Sequence, residues 1–214
     1  MPVDREKCLQ MPHQINFVFF AFLILIWPSS LMASGSREFL IESLEKVNSM
    51  QSFFEQTKRG SDERFSGKLL FQRPNLFRME ISPPVSQLIS SDGESLWIYD
   101  KDLEQVVVND LTDSLAEMPF VQLLSEPRAF LKGSEIVSLS GKERRFRIYL
   151  KGDENPVEFL DLDFTDGYIS RVFVASRVGE PLEVFFNQMS MIEFLPKNKF
   201  KFVMPENIDL IDNR

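Results

Sequence analysis

Few side chains in this sequence are placed for acid–base chemistry, and the best candidates are two aspartates. Asp161 and Asp163 stand two residues apart in an alternating stretch, so on a strand both would point to one face. A carboxylate pair of this kind could serve as the acid and base of a hydrolase. The alternating Leu160, Leu162 and Phe164 favour another interpretation, in which the aspartates form the solvent side of an amphipathic strand.

Other catalytic and metal-binding motifs are missing from the main part of the chain. The only histidine and the only cysteine, His13 and Cys8, both precede an N-terminal apolar run. No G-x-S-x-G elbow occurs, and residues 140–142 (SGK) lack the rest of a phosphate loop. We therefore expect no catalytic residues, no cofactor and no metal site, and an enzyme is the weak hypothesis.

The N-terminus has the pattern of a secretory signal peptide. Arg5 and Lys7 precede an eleven-residue apolar run, 17–27, and small residues follow it. We predict that residues 1–33 are removed, with cleavage after Ala33 or, alternatively, after Gly35. An uncleaved membrane anchor is the other possibility, but the run is shorter than the roughly 20 residues that a spanning helix needs.

The remaining residues, 34–214, are expected to form a single domain without a disulfide or a lipid anchor. Residues 1–33 contain two basic and two acidic side chains of the 24 and 32 in the whole sequence. The mature chain therefore keeps 22 basic and 30 acidic residues and the net charge of −8. Such a surface makes nucleic acid an unexpected partner. The mature chain also keeps 17 of the 21 phenylalanines, which suggests a wide apolar lining.

Residues 67–84 predict a β-hairpin, because two alternating runs flank the turn at residues 73–75 (RPN). The residues expected on one face are Leu69, Phe71 and Arg73 from the first run and Phe77, Met79 and Ile81 from the second. A charge on that apolar face is costly without a partner. Arg73 could extend to solvent at the strand end, or donate to carbonyl or carboxylate oxygens of an element that lies across the face.

The other elements suggest a sheet covered by helices. An amphipathic helix is predicted from Ser36 or Arg37 to before Gly60, with its apolar side at Phe39, Leu40, Leu44, Val47 and Phe54. Pro119 and Pro127 interrupt the apolar segment 110–133, which predicts two or three short helices. These helices could form a movable lid or a permanently packed cap.

The remaining segments alternate or run apolar, and short turns separate them, which predicts nine to eleven strands in all, including 199–203. The predicted fold class is α+β, mainly β. It consists of a strongly curved antiparallel sheet or incomplete β-barrel, which the N-terminal helix and the mid-chain lid cover.

Several motifs in this order resemble the periplasmic outer-membrane lipoprotein carrier proteins, the LolA family. The matching stretches are 52–57 (SFFEQT), 73–78 (RPNLFR), 88–99 (LISSDGESLWIY), 103–106 (LEQV), 118–120 (MPF) and 199–202 (KFKF) before Pro205. The resemblance implies a monomeric periplasmic chaperone that shields acyl chains in an apolar cavity. It further implies transfer of lipoproteins from an inner-membrane ABC transporter to an outer-membrane acceptor.

Candidate cavity residues are apolar side chains of the predicted strands and lid. They are Leu69, Phe71, Phe77, Met79, Ile81, Leu160, Leu162, Phe164, Phe186, Leu115, Met118 and Phe120. The resemblance also implies that Arg73 bonds to the lid as a latch and that Phe77 lies at the cavity edge. A carrier of another lipid and an envelope-stress interaction protein remain as alternatives.

Overall fold

The computed structural model describes residues 30–58, 63–139, 144–152 and 155–214. The predicted signal-peptide core at 17–27 lies outside these residues. The described helices are α1 (Ser30–Glu45), α2 (Leu111–Leu115), α3 (Pro119–Ser125) and α4 (Pro127–Phe130). None of the helices in this part of the chain has the length and apolar character to span a membrane.

Twelve strands are present among the described residues. They are β1 (Ser49–Lys58), β2 (Arg64–Gln72), β3 (Leu76–Ile81), β4 (Gln87–Asp92), β5 (Ser95–Asp100), β6 (Gln105–Asp110), β7 (Glu135–Leu139), β8 (Arg144–Tyr149), β9 (Val157–Thr165), β10 (Tyr168–Ser176), β11 (Leu182–Met191) and β12 (Asp209–Asp212).

All twelve strands belong to one sheet, in the order β12-β6-β5-β4-β3-β2-β1-β11-β10-β9-β8-β7. Because β12 and β7 are edges that do not pair with each other, the curved sheet remains open, as the sequence predicted. The pairings are antiparallel except that β12 lies parallel to β6 within the described strands. The main hydrophobic core lies between one face of the sheet, α1 and the three short helices. We call this the inner face.

The predicted hairpin is confirmed as β2 and β3. Leu69 pairs with Met79, and Phe71 pairs with Phe77, so the apolar residues of both strands share the inner face. Arg78 and Glu80 point to the outer face, where Arg78 Nε donates to Glu80 Oε1 at 2.8 Å. Period-2 alternation was a sufficient signal here.

The predicted extent of the first helix is wrong at both ends. The helix begins at Ser30 rather than near Ser36 and ends at Glu45, and the following residues form β1. The burial of β1 alternates, because Phe54 is 2% exposed while Phe53 is 51% exposed. Pairing of β1 with both β2 and β11 overrides the helical spacing of its apolar residues.

The predicted strand at 199–203 is also wrong. A 3₁₀ turn at Lys197–Lys199 leads into a segment without strand pairing, and residues 195–203, which we call the C-terminal strap, cross the outer face. Phe202 stacks on Trp97 with ring centroids 5.2 Å apart. Ser90 Oγ donates to the Phe200 carbonyl at 2.7 Å. Strands β7 and β12 were not predicted; both are short and lie at the sheet edges.

The segment between β6 and β7 forms three short helices, as predicted. Asp110 caps α2 by accepting a hydrogen bond from the Thr112 backbone N–H at 2.8 Å. Pro119 and Pro127 are the first residues of α3 and α4, the positions at which proline ends one helix and begins the next. We call residues 111–130 the lid.

Candidate functional site

The lid and the inner face enclose an apolar cavity of about 540 Å³. Strands β1, β2, β3, β10 and β11 and the start of β9 form its floor, and the lid forms its roof. The lining residues are Phe54, Gln56, Leu69, Phe71, Phe77, Met79, Ala116, Glu117, Met118, Pro119, Phe120, Val121, Leu124, Pro156, Val157, Val172, Val174, Ser176, Val178, Leu182, Val184 and Phe186. Among the lining residues that the structure describes, Glu117 is the only ionisable one.

Seven of the twelve candidate cavity residues line this space: Leu69, Phe71, Phe77, Met79, Met118, Phe120 and Phe186. Five lie elsewhere. Leu160, Leu162 and Phe164 are buried in the core on β9, and Leu115 borders a smaller depression beside Asn75. Ile81 packs against the core near the end of β3 but does not reach the cavity. An inward direction alone did not separate the lining from the packed core.

The candidate residues include none of the lining from β1 and β10 and only Phe186 of the lining from β11. Val172 and Val174 alternate on β10, and Val184 shares the inner face of β11 with Phe186, so alternation was a usable signal. Phe54 was missed because its segment was assigned to the helix. Alternation does not show which strands lie beneath the lid, because that depends on the distance of each strand from the lid in the folded protein.

The lid contacts the floor mainly through aromatic and aliphatic side chains. Phe120 stacks on Phe186 with ring centroids 5.2 Å apart and an interplanar angle of 26°. Met118 is half-buried at the start of α3, whereas Leu124 is 1% exposed. The roof is thus tightly packed at the C-terminal end of α3 and more open at its N-terminal end.

The opening of the cavity lies on one side of the lid. Val178, in the turn between β10 and β11, is 83% exposed although it lines the cavity. Glu117 and Ala116 are exposed on the lid. The apolar interior is therefore accessible from solvent between the α2–α3 connection and this turn.

Arg73 joins the hairpin to both covering elements. Its Nε donates to the Leu124 carbonyl on the lid at 2.7 Å, and its Nη1 and Nη2 donate to the Glu45 and Leu44 carbonyls at 3.0 and 2.7 Å. These contacts correspond to the expected alternative in which the guanidinium bonds across the apolar face. The last two carbonyls belong to the end of α1, where no further helical turn supplies N–H donors, and the Leu44 carbonyl also accepts from the Val47 N–H at 3.0 Å.

The charge of Arg73 is held in a half-buried position. Burial lowers the pKa of Arg73, and the Glu45 carboxylate opposes that shift. An arginine stays protonated in proteins, so the side chain binds the three carbonyls as a cation. Such charge-assisted bonds are stronger than bonds between neutral groups.

Two further arginines attach α4 and the residues that directly follow it to α1. Arg37 donates to the carbonyls of Leu131, at 2.8 Å, and of Ser134. Arg128 on α4 contacts the Glu45 and Glu38 carboxylates at 2.7 and 3.2 Å, and these hydrogen bonds raise the pKa of Arg128. The α2–α3 part of the lid has no such ion pair to α1 in the described residues.

The aspartate pair of β9 lies on the outer face, away from the cavity, but is not exposed as predicted. Asp161 and Asp163 are 6% and 5% exposed. Arg147 forms two hydrogen bonds to Asp161, at 2.7 and 2.8 Å, and Arg145 and Arg171 contact Asp163. Arginines on the neighbouring strands cover the carboxylates, which therefore serve as ion-pair partners in the sheet.

The family model described as "Outer membrane lipoprotein carrier protein LolA" matches residues 45–203, which is most of the chain. The chain belongs to this lipoprotein carrier family. The match begins at Glu45, one of the carbonyl partners of Arg73, and ends at Val203, the last residue of the C-terminal strap. It therefore includes every cavity-lining residue.

Several individual relatives agree with this assignment. The outer-membrane lipoprotein carrier protein of Pseudomonas aeruginosa PAO1 is 31% identical over 176 residues, covering 78% of this chain and 83% of the relative. That of Pasteurella multocida is 29% identical over 198 residues, covering 91% and 95%. A conserved Thermus thermophilus protein of uncharacterised function shares the fold, with a TM-score of 0.55, 13% identity and coverage of 83% and 99%.

Proposed function

We propose that this protein is a periplasmic chaperone that carries lipid-modified proteins and shields their acyl chains in the cavity beneath the lid. The observation that carries the proposal is the solvent-accessible apolar space of about 540 Å³ in a member of the lipoprotein carrier family. No reaction is part of the proposal, because the lining contributes a single ionisable side chain. ATP would be consumed by a transporter rather than by this chain.

The physical need for such a cavity follows from the cargo. Each acyl CH₂ group moved from water to an apolar site contributes about 0.8 kcal/mol, so a bare acyl chain cannot cross an aqueous compartment. Phenylalanine, methionine and valine side chains line the floor and roof, and flexible methionines adapt to chains of variable shape. The cargo's polypeptide would remain outside, at the opening beside Val178.

Delivery requires that the cavity release what it binds. We propose that Arg73 is the latch, because its guanidinium links the hairpin, α1 and Leu124 of the lid. The α2–α3 part of the lid would move away from the floor while α4 stays attached to α1 through Arg128 and Arg37. Binding of acyl chains then competes with closure of the lid, so the binding of the cargo is reversible.

The proposed partners are those of a shuttle between two membranes. Lipoproteins would be received from an inner-membrane ABC transporter and passed to an outer-membrane acceptor by a monomeric carrier. Export itself would depend on residues 1–33 acting as a cleaved signal peptide, with the cut after Ala33 or Gly35.

Native mass spectrometry tests the proposal. The mature protein would be purified from the periplasm after co-expression with a tagged lipoprotein, beside the variants Met118→Glu and Leu103→Glu. Met118 lines the cavity, whereas Leu103 is 70% exposed on a turn between β5 and β6 and serves as the matched control.

We expect a one-to-one complex for the wild type and for Leu103→Glu, and loss of the complex for Met118→Glu because a carboxylate would be placed among apolar groups. Recovery of free lipid in place of lipoprotein would favour a carrier of another lipid. A protein that is empty under loading conditions would contradict the carrier function.

A further inference from the structure

The outer face of the hairpin carries a basic pocket that lies directly behind the apolar cavity. On β2, Leu69 faces the cavity, while its neighbours Lys68 and Leu70 face the pocket. The C-terminal strap forms the other wall with Lys199 and Lys201, and the pocket encloses about 390 Å³. The two sites share strands but no lining residue.

The charge of this pocket is opposite to that of the chain. Four cations line it, from Lys68, Arg78, Lys199 and Lys201, against one carboxylate, Glu80, in a protein of net charge −8. Glu80 is bonded to Arg78. In the part of the chain that the structure describes, none of the three lysines has an ion-pair partner. Screening confines electrostatic attraction to about 8 Å at physiological ionic strength, so a ligand at this pocket experiences mainly the local positive charge.

Apolar side chains border the cations on the same face. Phe53 on β1 pairs directly with Lys68 and is 51% exposed. Val203, at the end of the strap, lines the pocket and is 77% exposed. Exposed aromatic and aliphatic groups beside lysine and arginine are the combination by which proteins bind the interface of an anionic membrane.

We propose that this pocket binds the phosphodiester headgroups of anionic phospholipids and docks the outer face of the protein on a membrane surface. A phosphodiester offers charged oxygen acceptors to the lysines and to Arg78, and the attached glycerol and acyl groups contact Phe53 and Val203. The chemistry of the pocket differs from that of the cavity, because the described residues of the cavity lining include no cation. Docking in this way leaves the inner face of β2 and β3, which contributes to the cavity floor, on the opposite side of these strands from the membrane.

Vesicle co-sedimentation of the empty mature protein tests the docking without any lipoprotein, so its outcome is independent of the carrier function. Vesicles of equal parts phosphatidylglycerol and phosphatidylcholine are compared with vesicles of phosphatidylcholine alone. The neutral vesicles report any binding through the apolar cavity, since both compositions contain acyl chains.

The decisive variant is Lys199→Gln/Lys201→Gln, which removes two exposed charges of the strap. The double variant Lys101→Gln/Lys151→Gln is the control, because it makes the same change in net charge at exposed sites outside the pocket. A basic residue near an anionic surface contributes about a fivefold gain in partitioning, so the strap variant should bind about twenty-five-fold more weakly. The control should bind like the wild type, and high salt should abolish the preference for anionic vesicles.

Equal binding to both vesicle types would overturn the proposal, as would an equal loss in both double variants. Titration with glycerol 3-phosphate in solution distinguishes the sources of the phosphate group. Binding of that soluble ester without a preference for anionic vesicles would overturn membrane docking and leave a site for a free phosphate ester. Phe53→Ser should weaken vesicle binding but leave binding of the soluble ester unchanged.

Discussion

Replacing Arg73 with leucine should favour the open lid, strengthen the apparent binding of acyl chains and slow their delivery. The substitution removes the guanidinium bonds to Leu124 on the lid and to the Leu44 and Glu45 carbonyls at the end of α1. Leucine approximates the volume of the aliphatic stem, so the apolar contacts of the hairpin are largely kept. The change therefore acts on the latch more than on the core.

The magnitude follows from the single bond that crosses from the hairpin to the lid. A hydrogen bond from a charged donor contributes about 1.5–3 kcal/mol, and the Leu124 carbonyl also loses its partner in the closed state. The closed state should therefore lose about ten- to a hundredfold in population relative to the open state. If acyl chains enter only the open state, the apparent dissociation constant falls by the same factor, until the open state predominates.

Two assays measure this effect. Titration with a fluorescent fatty acid gives the apparent affinity, and transfer of a loaded lipoprotein to acceptor-containing membranes gives the rate of delivery. Arg128→Leu is the control, since its ion pairs with Glu38 and Glu45 are exposed and such pairs contribute at most about 1 kcal/mol. Arg73→Lys should be intermediate, because an ammonium group cannot reproduce the fork of donors. Wild-type affinity and wild-type transfer in Arg73→Leu would refute the latch.

Two further predictions concern the stability of the sheet. Asp163→Asn should lower the free energy of unfolding by about 1–3 kcal/mol, because Arg145 and Arg171 lose a buried carboxylate partner, while fatty-acid binding on the other face stays unchanged. Chemical denaturation measures the free energy of unfolding, and the fluorescent titration measures fatty-acid binding. Lost binding in a folded variant would contradict the separation of the faces. Gly67→Ala should also destabilise the protein, because its Cβ would collide with the Glu80 carbonyl of the neighbouring strand; an unchanged thermal midpoint would show that β2 and β3 can separate locally without cost.

Local patterns in the sequence were enough for the hairpin and the lid. Alternation determined which side chains of β2 and β3 share a face, because the side-chain period of a strand does not depend on what lies around it. Two prolines determined that the lid is broken, because proline cannot continue a helix through its position. The unusual position of Arg73 on an apolar face also pointed to a partner before any partner was known.

The end of the first helix depended on the rest of the molecule. The apolar residues up to Phe54 are compatible with a helical stripe, yet the segment from Ser49 lies between β2 and β11 and pairs with both. Strand pairing between distant segments satisfies the backbone of β1 on both sides, and no local propensity reports it. The C-terminal strap is the converse case, in which an alternating segment packs Phe200 and Phe202 onto the sheet without pairing.

The sequence by itself determined an open, mainly antiparallel sheet with an apolar inner face and a helical cover. Only the tertiary structure decided which inward residues line the cavity and which fill the core, as the contrast between Phe186 and Leu162 shows. Both residues point inward, but the lid leaves a space above Phe186 on β11, whereas above Leu162 on β9 the core is filled. The physical reason is that alternation determines the face of the sheet on which a side chain lies. The curvature of the sheet and the position of the lid determine whether that side chain borders the cavity or packs against other side chains.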